Sequence, residues 1–251
     1  MSLDNYKYWT RHAFSMYRNS VAYIVTSGSD QDESIGSAFH VGDGVFITAR
    51  HVVENRTLLK VGFDDDSILY LLMDATSSNS RLPEVRITTG PFFHLDPEVD
   101  VACFQLSVTP TSFIPLGGHF DDFLGQYELV LNRTLVMGYP PIPLSNRPVL
   151  FASTGEINAL VDLYSGTKHP HFIISCMARG GFSGGPVIVA YNEDNIDGGT
   201  ALLGVVTQSL VKNGDDVENG YFAVLTVEPI FDCLEQHNLL PKCQKFDSST
   251  L

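Results

Sequence analysis

The sequence predicts an all-β chain built as two six-stranded antiparallel β-barrels, with a short helix at either end. Three observations lead there. Short runs rich in Val, Ile, Phe and Leu recur along most of the chain, bounded by turn clusters such as Ser27-Gly28-Ser29, Gly42-Asp43-Gly44 and Asp64-Asp65-Asp66. The runs fall into two sets of similar number and spacing, although no sequence repeat links them. The 21 Gly and 13 Pro supply the tight turns that so many short strands need. At 251 residues the chain can bury roughly 70–75% of its unfolded surface, so its core needs no disulfide or metal staple.

Residues 3–19 place Leu3, Tyr6, Trp9, Ala13, Met16 and Tyr17 at helical spacing, which predicts an amphipathic helix with this stripe on the body of the protein. From Val21 the period changes to that of strands, with runs at 21–26, 35–40, 44–49, 58–63, 68–73, 84–89 and 101–106. Thr109-Pro110-Thr111, Pro115 and Gly117-Gly118 then mark a crossing, and the second set follows at 133–138, 148–160, 171–176, 185–191, 201–208 and 220–226. A helix is expected from Thr226 to Leu239, capped by Thr226, with Pro229 in its first turn and Ile230, Phe231, Cys233 and Leu234 facing inward. The resulting division is a helix over 1–20, a first barrel over 21–108, a linker and second barrel over 109–226, and a helix and tail over 227–251.

Composition narrows the function. A net charge of −14 repels phosphate backbones and anionic membrane surfaces, so neither nucleic acid nor membrane is an expected partner. No basic segment followed by an apolar run opens the chain, and no apolar stretch reaches about 18 residues, which leads to the expectation of a soluble, cytoplasmic protein. Cys103 and Cys176 lie inside apolar runs and read as buried thiols, which fits a reducing compartment and leaves a Cys233–Cys243 bridge open. His169-Pro170-His171 is the one pattern with metal-ligand character, but no Cys or carboxylate cluster surrounds it. It reads as a surface turn, and no metal or other cofactor is expected.

Three segments carry chemistry. In Arg179-Gly180-Gly181-Phe182-Ser183-Gly184-Gly185-Pro186, glycines on both sides of the serine let the backbone bend so that Oγ projects into a cleft. The N–H groups of Gly181 and Ser183 can then form a two-donor oxyanion hole. In Ile47-Thr48-Ala49-Arg50-His51-Val52-Val53 a strand ends and a short helical turn begins, placing His51 at a barrel edge as a candidate general base. In Val99-Asp100-Val101-Ala102-Cys103-Phe104 a carboxylate opens an apolar strand, where it can hold an imidazole in one tautomer. Asp96 and Glu98 compete for that role, but neither leads straight into the apolar run.

In the order His51, Asp100, Ser183, split between the two predicted barrels, these motifs resemble those of the chymotrypsin-like (trypsin-like) serine peptidases, and within them the bacterial HtrA/DegP-like protease domain. The resemblance spans residues 20–235 and also draws on Gly204-Val205-Val206-Thr207 and Gly220-Tyr221-Phe222-Ala223. It implies a serine endopeptidase working on a polypeptide substrate through an acyl-enzyme. It further implies an edge strand, 204–209, whose Thr207, Gln208 and Ser209 pair with the peptide backbone. The specificity pocket it implies has Met177 and Ala178 at its base and Ser209 and Gly220 at its sides. None of these is charged, so cleavage after a small or medium apolar residue is expected.

Phe182 departs from the pattern, standing where pancreatic-type enzymes carry Asp and HtrA-like proteins usually carry Asn. With no Ile-Val-Gly-Gly-like activation terminus either, an ion-pair switch is not expected, and the enzyme should be active as made or controlled in another way. Two other readings remain. Gly181-x-Ser183-x-Gly185 also satisfies the nucleophile elbow of α/β-hydrolases, which requires a helix immediately after the serine. The same fold could also serve, without turnover, as a peptide-binding module.

Overall fold

The computed structural model describes residues 3–30, 32–64, 85–117, 129–161, 169–177, 180–190, 199–211 and 218–245. Helix α1 (Leu3–Tyr17) leads into β1 (Val21–Ser27), β2 (Glu33–Gly42) and β3 (Val45–Thr48), then the single turn α2 (Arg50–Val53). Strands β4 (Thr57–Gly62), β5 (Ile87–Phe93) and β6 (Ala102–Leu106) complete a six-stranded antiparallel sheet in the order β4-β1-β2-β3-β6-β5. The expected strand at 68–73 falls between the two edge strands and lies outside the described residues. Strands β7 (Arg133–Gly138), β8 (Phe151–Val161), β9 (His171–Ser175), β10 (Pro186–Ala190), β11 (Thr200–Val211) and β12 (Glu218–Thr226) form a closed barrel in the order β10-β11-β12-β9-β8-β7. Helix α3 (Glu228–Gln236) follows the last strand.

Most residues of β1–β3 are buried, because both faces of these strands are covered. Ala22, Ile24, Ala38, Phe46 and Phe104 point into a core of the first sheet's own, where Phe46 stacks on Phe104 at 5.7 Å. The alternate residues Val21, Tyr23, Phe39, Val45 and Ile47 join a larger core with residues of the closed barrel and both terminal helices. Tyr23 meets Tyr139 edge-on at 5.4 Å within it. The two barrels thus share buried apolar surface as well as chain, and that fixes the seam on which the candidate residues stand.

Several expectations at the chain ends need correction. In α1 the buried stripe is Trp9, Ala13 and Tyr17, spaced four apart, whereas Met16 is 45% exposed. Tyr17 Oη shares a 2.9 Å hydrogen bond with Thr200 Oγ1 of the closed barrel. Thr226 does not cap α3: it belongs to β12, its hydroxyl is buried without a partner, and the position before the helix is Val227. Ile230, Cys233 and Leu234 face inward as expected, with Phe231 half-buried beside them. All four cysteines are free thiols, and Cys233 packs its Sγ 3.7 Å from that of Cys103, leaving Cys243 exposed. Contact with Cys103, followed by burial, pushes the Cys233 thiol far above its ordinary pKa. His171 is no surface turn; it starts β9, is buried, and sits in register between Val161 and Leu225.

Trp9 is the only tryptophan in the chain and is 4% exposed. Trp9→Ala should lower the free energy of unfolding by about 3 kcal/mol in urea titrations followed by circular dichroism. Trp9→Phe, which deletes an indole N–H that has no partner, should cost far less. A loss below about 1 kcal/mol for Trp9→Ala would mean that α1 is not part of the cooperative core.

Candidate active site

Strand β3 carries the chain to Thr48, and α2 turns it at once. Val52 and Val53 on that turn are buried in the first sheet's core, which leaves His51 on the solvent side with its side chain 48% exposed. Asp100 holds the histidine at two points. Its Oδ1 accepts the His51 backbone N–H at 2.9 Å and its Oδ2 accepts Nδ1–H at 2.7 Å. A carboxylate can only accept, so the proton sits on Nδ1 and leaves Nε2 of the neutral ring as an acceptor.

Among the described residues neither competing acid bonds to His51. Asp96 closes its own turn, taking the Glu98 N–H on its side chain at 3.0 Å and the Val99 N–H on its carbonyl at 3.2 Å. Glu98 is exposed. The segment ahead of Asp100 is held from both sides. Arg50 donates to the His94 carbonyl at 3.3 Å, lies 5.0 Å from the centre of the Phe93 ring, and is paired with Glu54 at 2.7 Å. From α3, Gln236 accepts the Leu95 N–H at 2.9 Å, and just past it His237 donates to the Phe93 carbonyl at 2.7 Å.

Ser183 stands in a tight turn closed by the Gly185 N–H on the Phe182 carbonyl at 2.8 Å. Gly181 (φ +92) and Gly184 (φ +80) take left-handed conformations that side chains resist. Gly184 is also pressed against the first barrel. A Cβ there would come within 2.2 Å of the Ser37 carbonyl oxygen, 2.3 Å of Thr48 Oγ1 and 2.9 Å of the Ala49 nitrogen. The loop that bears Ser183 therefore lies directly on the strand end that leads into His51. Phe182 is fully buried in the closed barrel, 5.9 Å edge-on to Phe151 and 5.4 Å from Phe222. Its ring sits over Gly138, where a Cβ would come within 2.8 Å of it. The unexpected aromatic anchors the loop by burial.

Sequence reasoning missed Ser37. This fully buried residue of β2 donates its N–H to the Ser183 carbonyl at 2.9 Å and its Oγ–H to the Gly181 carbonyl at 2.7 Å. Its Oγ accepts the Tyr139 N–H at 2.9 Å, and its carbonyl accepts the Thr48 hydroxyl at 2.7 Å. The only trace in the sequence is a small polar side chain within the run 35–40.

The residues expected to meet substrate are spread along one side of the closed barrel. β11 pairs with β10 only as far as Val205, and Val206 still exchanges hydrogen bonds with Gly184 and Gly185. Beyond it, among the described residues, β11 pairs with β12 alone, which leaves its other edge unpaired there beside the Ser183 loop. Along that stretch Gln208 is exposed and Ser209 half-buried, whereas Thr207 sits at a register slip and turns its hydroxyl inward to the Ala223 carbonyl at 3.2 Å. Met177 is 52% exposed just after β9, and the neighbouring Cys176 N–H bonds the Gly220 carbonyl at 2.8 Å. Ala178 lies outside the described residues. Among the described residues no three His, Cys, Asp or Glu side chains gather as a metal site would require.

A sheet and a closed barrel that meet along a shared core, with a His–Asp pair on one and a glycine-flanked serine on the other, define a double-barrel hydrolase architecture. The α/β-hydrolase alternative fails at Pro186–Ala190, which is strand β10 and not a helix. Residues 36–193 match the trypsin-like peptidase domain, and the chain belongs to that family of serine endopeptidases. The active form of the Rv3671c protease from M. tuberculosis superposes with a TM-score of 0.61 at 19% identity, over 93% of this chain and 86% of that one. The HtrA-type protease AlgW, solved with a tripeptide, gives 0.62 at 20% identity, and the serine endoprotease from Yersinia pestis gives 0.58 at 17%. These two cover 92% and 90% of this chain, which spans 63% and 65% of theirs. No curated protein sequence matches the chain.

Two glycines of the same loop should respond oppositely to a methyl group. Gly184→Ala combines a left-handed backbone with overlap on Ser37 and Thr48, and should destabilise the fold by more than about 2 kcal/mol. Gly180→Ala meets nothing within 4 Å and should stay within about 0.5 kcal/mol of the parent. Thermal unfolding of both variants checks the pair, and equal stabilities would contradict the seam geometry.

Proposed function

We propose that the chain cleaves internal peptide bonds with Ser183 as nucleophile, His51 as general base and Asp100 as the group that orients it. The observation that carries this reading is the two-point grip of Asp100 on His51, which leaves the imidazole Nε2 free to take a proton. His51 takes the Oγ proton as Ser183 attacks the substrate carbonyl, then delivers it to the departing amine, leaving an acyl-enzyme. Water attacks the ester in the second half, again giving its proton to His51, and the acid product leaves with Oγ reprotonated. The N–H groups of Gly181 and Ser183 stabilise the oxyanion of both tetrahedral intermediates.

Substrate lies as an added strand on the open edge of β11, at Thr207, Gln208 and Ser209, with the pairing made by backbone groups. The inward turn of the Thr207 hydroxyl suits this, because it leaves that residue only its backbone to offer. A neutral pocket around Met177, Ala178, Ser209 and Gly220 receives a small or medium apolar side chain.

A fluorophosphonate probe should label the protein, and Ser183→Ala should abolish the adduct. Replacing His51 by Ala should lower kcat by about 10⁴–10⁶, and Asp100→Asn by about 10⁴, measured on a cleavable peptide. Absence of a Ser183-dependent adduct, with peptide still bound, would favour a binding module.

Cleavage of a peptide library should show Ala, Val, Leu or Met before the scissile bond. A preference for Lys or Arg would overturn the neutral pocket.

A further inference from the structure

An oxyanion hole works only if its donors are aimed before charge develops on the substrate. In this chain the loop that carries them is anchored by the Phe182 ring, fully buried among Phe151, Phe222 and Gly138. Apolar burial fixes where a side chain sits, but it is non-directional and does not choose how the peptide planes on either side are turned. Hydrogen bonds do, because they weaken steeply away from linearity.

Within its own barrel the loop is bonded by the Gly185 N–H on the Phe182 carbonyl and by Val206 on Gly184 and Gly185, whereas the hydrogen bonds that reach it from the first barrel converge on one residue. The Ser37 hydroxyl donates to the Gly181 carbonyl at 2.7 Å, and the Ser37 N–H donates to the Ser183 carbonyl at 2.9 Å. One residue of the first barrel therefore holds both ends of the segment 181–183 in the second. The hydroxyl is itself oriented: it accepts the Tyr139 N–H at 2.9 Å, so its single proton is directed to Gly181. Gly181 is also backed by the Tyr139 carbonyl, which would lie 2.5 Å from a Cβ at that position. Through its own carbonyl, bonded to the Thr48 hydroxyl at 2.7 Å, Ser37 ties this arrangement to the strand end that leads to His51.

We propose that Ser37 is the positioning residue of the oxyanion loop: from across the barrel seam it fixes the 181–182 and 183–184 peptide groups, and with them the backbone on which the Gly181 and Ser183 N–H groups stand. It touches no substrate. The inference rests on the assignment of Ser183 as nucleophile and goes beyond it by placing control of the loop in the other barrel.

Ser37→Ala removes the hydroxyl while keeping the backbone bond to Ser183. Ser37→Cys keeps a weak donor and acceptor at nearly the same size. Both are compared with the parent in kcat and KM on a cleavable peptide. They are also compared in affinity for a peptidyl trifluoromethyl ketone, which forms a tetrahedral adduct, and for the same peptide as a non-covalent ligand. For Ser37→Ala, kcat should fall about 10²-fold, comparable to the loss of one oxyanion donor. KM and the non-covalent affinity should stay within about threefold, ketone affinity should fall with kcat, and Ser37→Cys should recover part of both.

A folded Ser37→Ala protein with kcat within about threefold of the parent overturns the inference. So does an equal loss of affinity for the ketone and the non-covalent peptide. If Ser37→Ala does not fold, Ser37→Cys decides: ketone affinity must drop more than peptide affinity. A parent protein that forms no Ser183-dependent adduct defeats the nucleophile assignment, whereas loss of the Ser37 effect alone defeats only this inference.

Discussion

The two barrels are joined at backbone level where β2 meets the serine loop. The Ser183 carbonyl accepts the Ser37 N–H, and Gly184 comes so close to Ser37, Thr48 and Ala49 that no side chain could stand there. Thr48 and Ala49 are the last residues before α2, whose second residue is His51. The position of the histidine relative to the serine is therefore set by main chain packed on main chain, which has few ways to shift. Flexible side chains bridging the same gap would tolerate displacements of an ångström, a scale at which catalytic geometry already suffers.

That seam is supported by burial on both its sides. The first sheet covers one face of β1–β3 with its own core and the other with the shared core, so neither sheet can slide without exposing apolar surface. The terminal helices extend the same principle. Helix α1 lays Trp9, Ala13 and Tyr17 on the shared core. The end of α3 reaches across to hold the 93–95 segment through Gln236 and His237. The acid that orients His51 thus depends on residues more than a hundred positions later in the chain, and Arg50 grips the same segment from the histidine side.

What could be read from the sequence was what is local. The strand-to-turn change at Thr48-Ala49, the carboxylate at the head of an apolar run and the glycines around Ser183 each announce themselves within six residues, and the structure brings His51 and Asp100 together. Helix α3 was legible in its inner face but not in its start, because Thr226 was needed by β12 and could not also serve as a cap. The Cys233 partner, the burial of His171 and the exposure of Met16 depend on what is packed opposite each residue. Ser37 is the clearest case: a serine inside an apolar strand carries no local mark of three hydrogen bonds made across a domain seam.

Phe182 shows how a departure from a family pattern can be satisfied by different physics. A carboxylate at that position must be paired inside the protein or it pays a large desolvation penalty, and its hold on the loop then depends on the partner and on pH. A phenyl ring takes its hold from Phe151, Phe222 and the bare backbone at Gly138, all in the barrel to which the loop already belongs. Nothing in that set titrates, and no distant charged group has to arrive for the ring to be buried. The consequence is a division of labour. Burial of the ring fixes where the serine loop sits, and hydrogen bonds from across the seam join those of the closed barrel in aiming its peptide groups, so the loop is fully determined only when both barrels are in place.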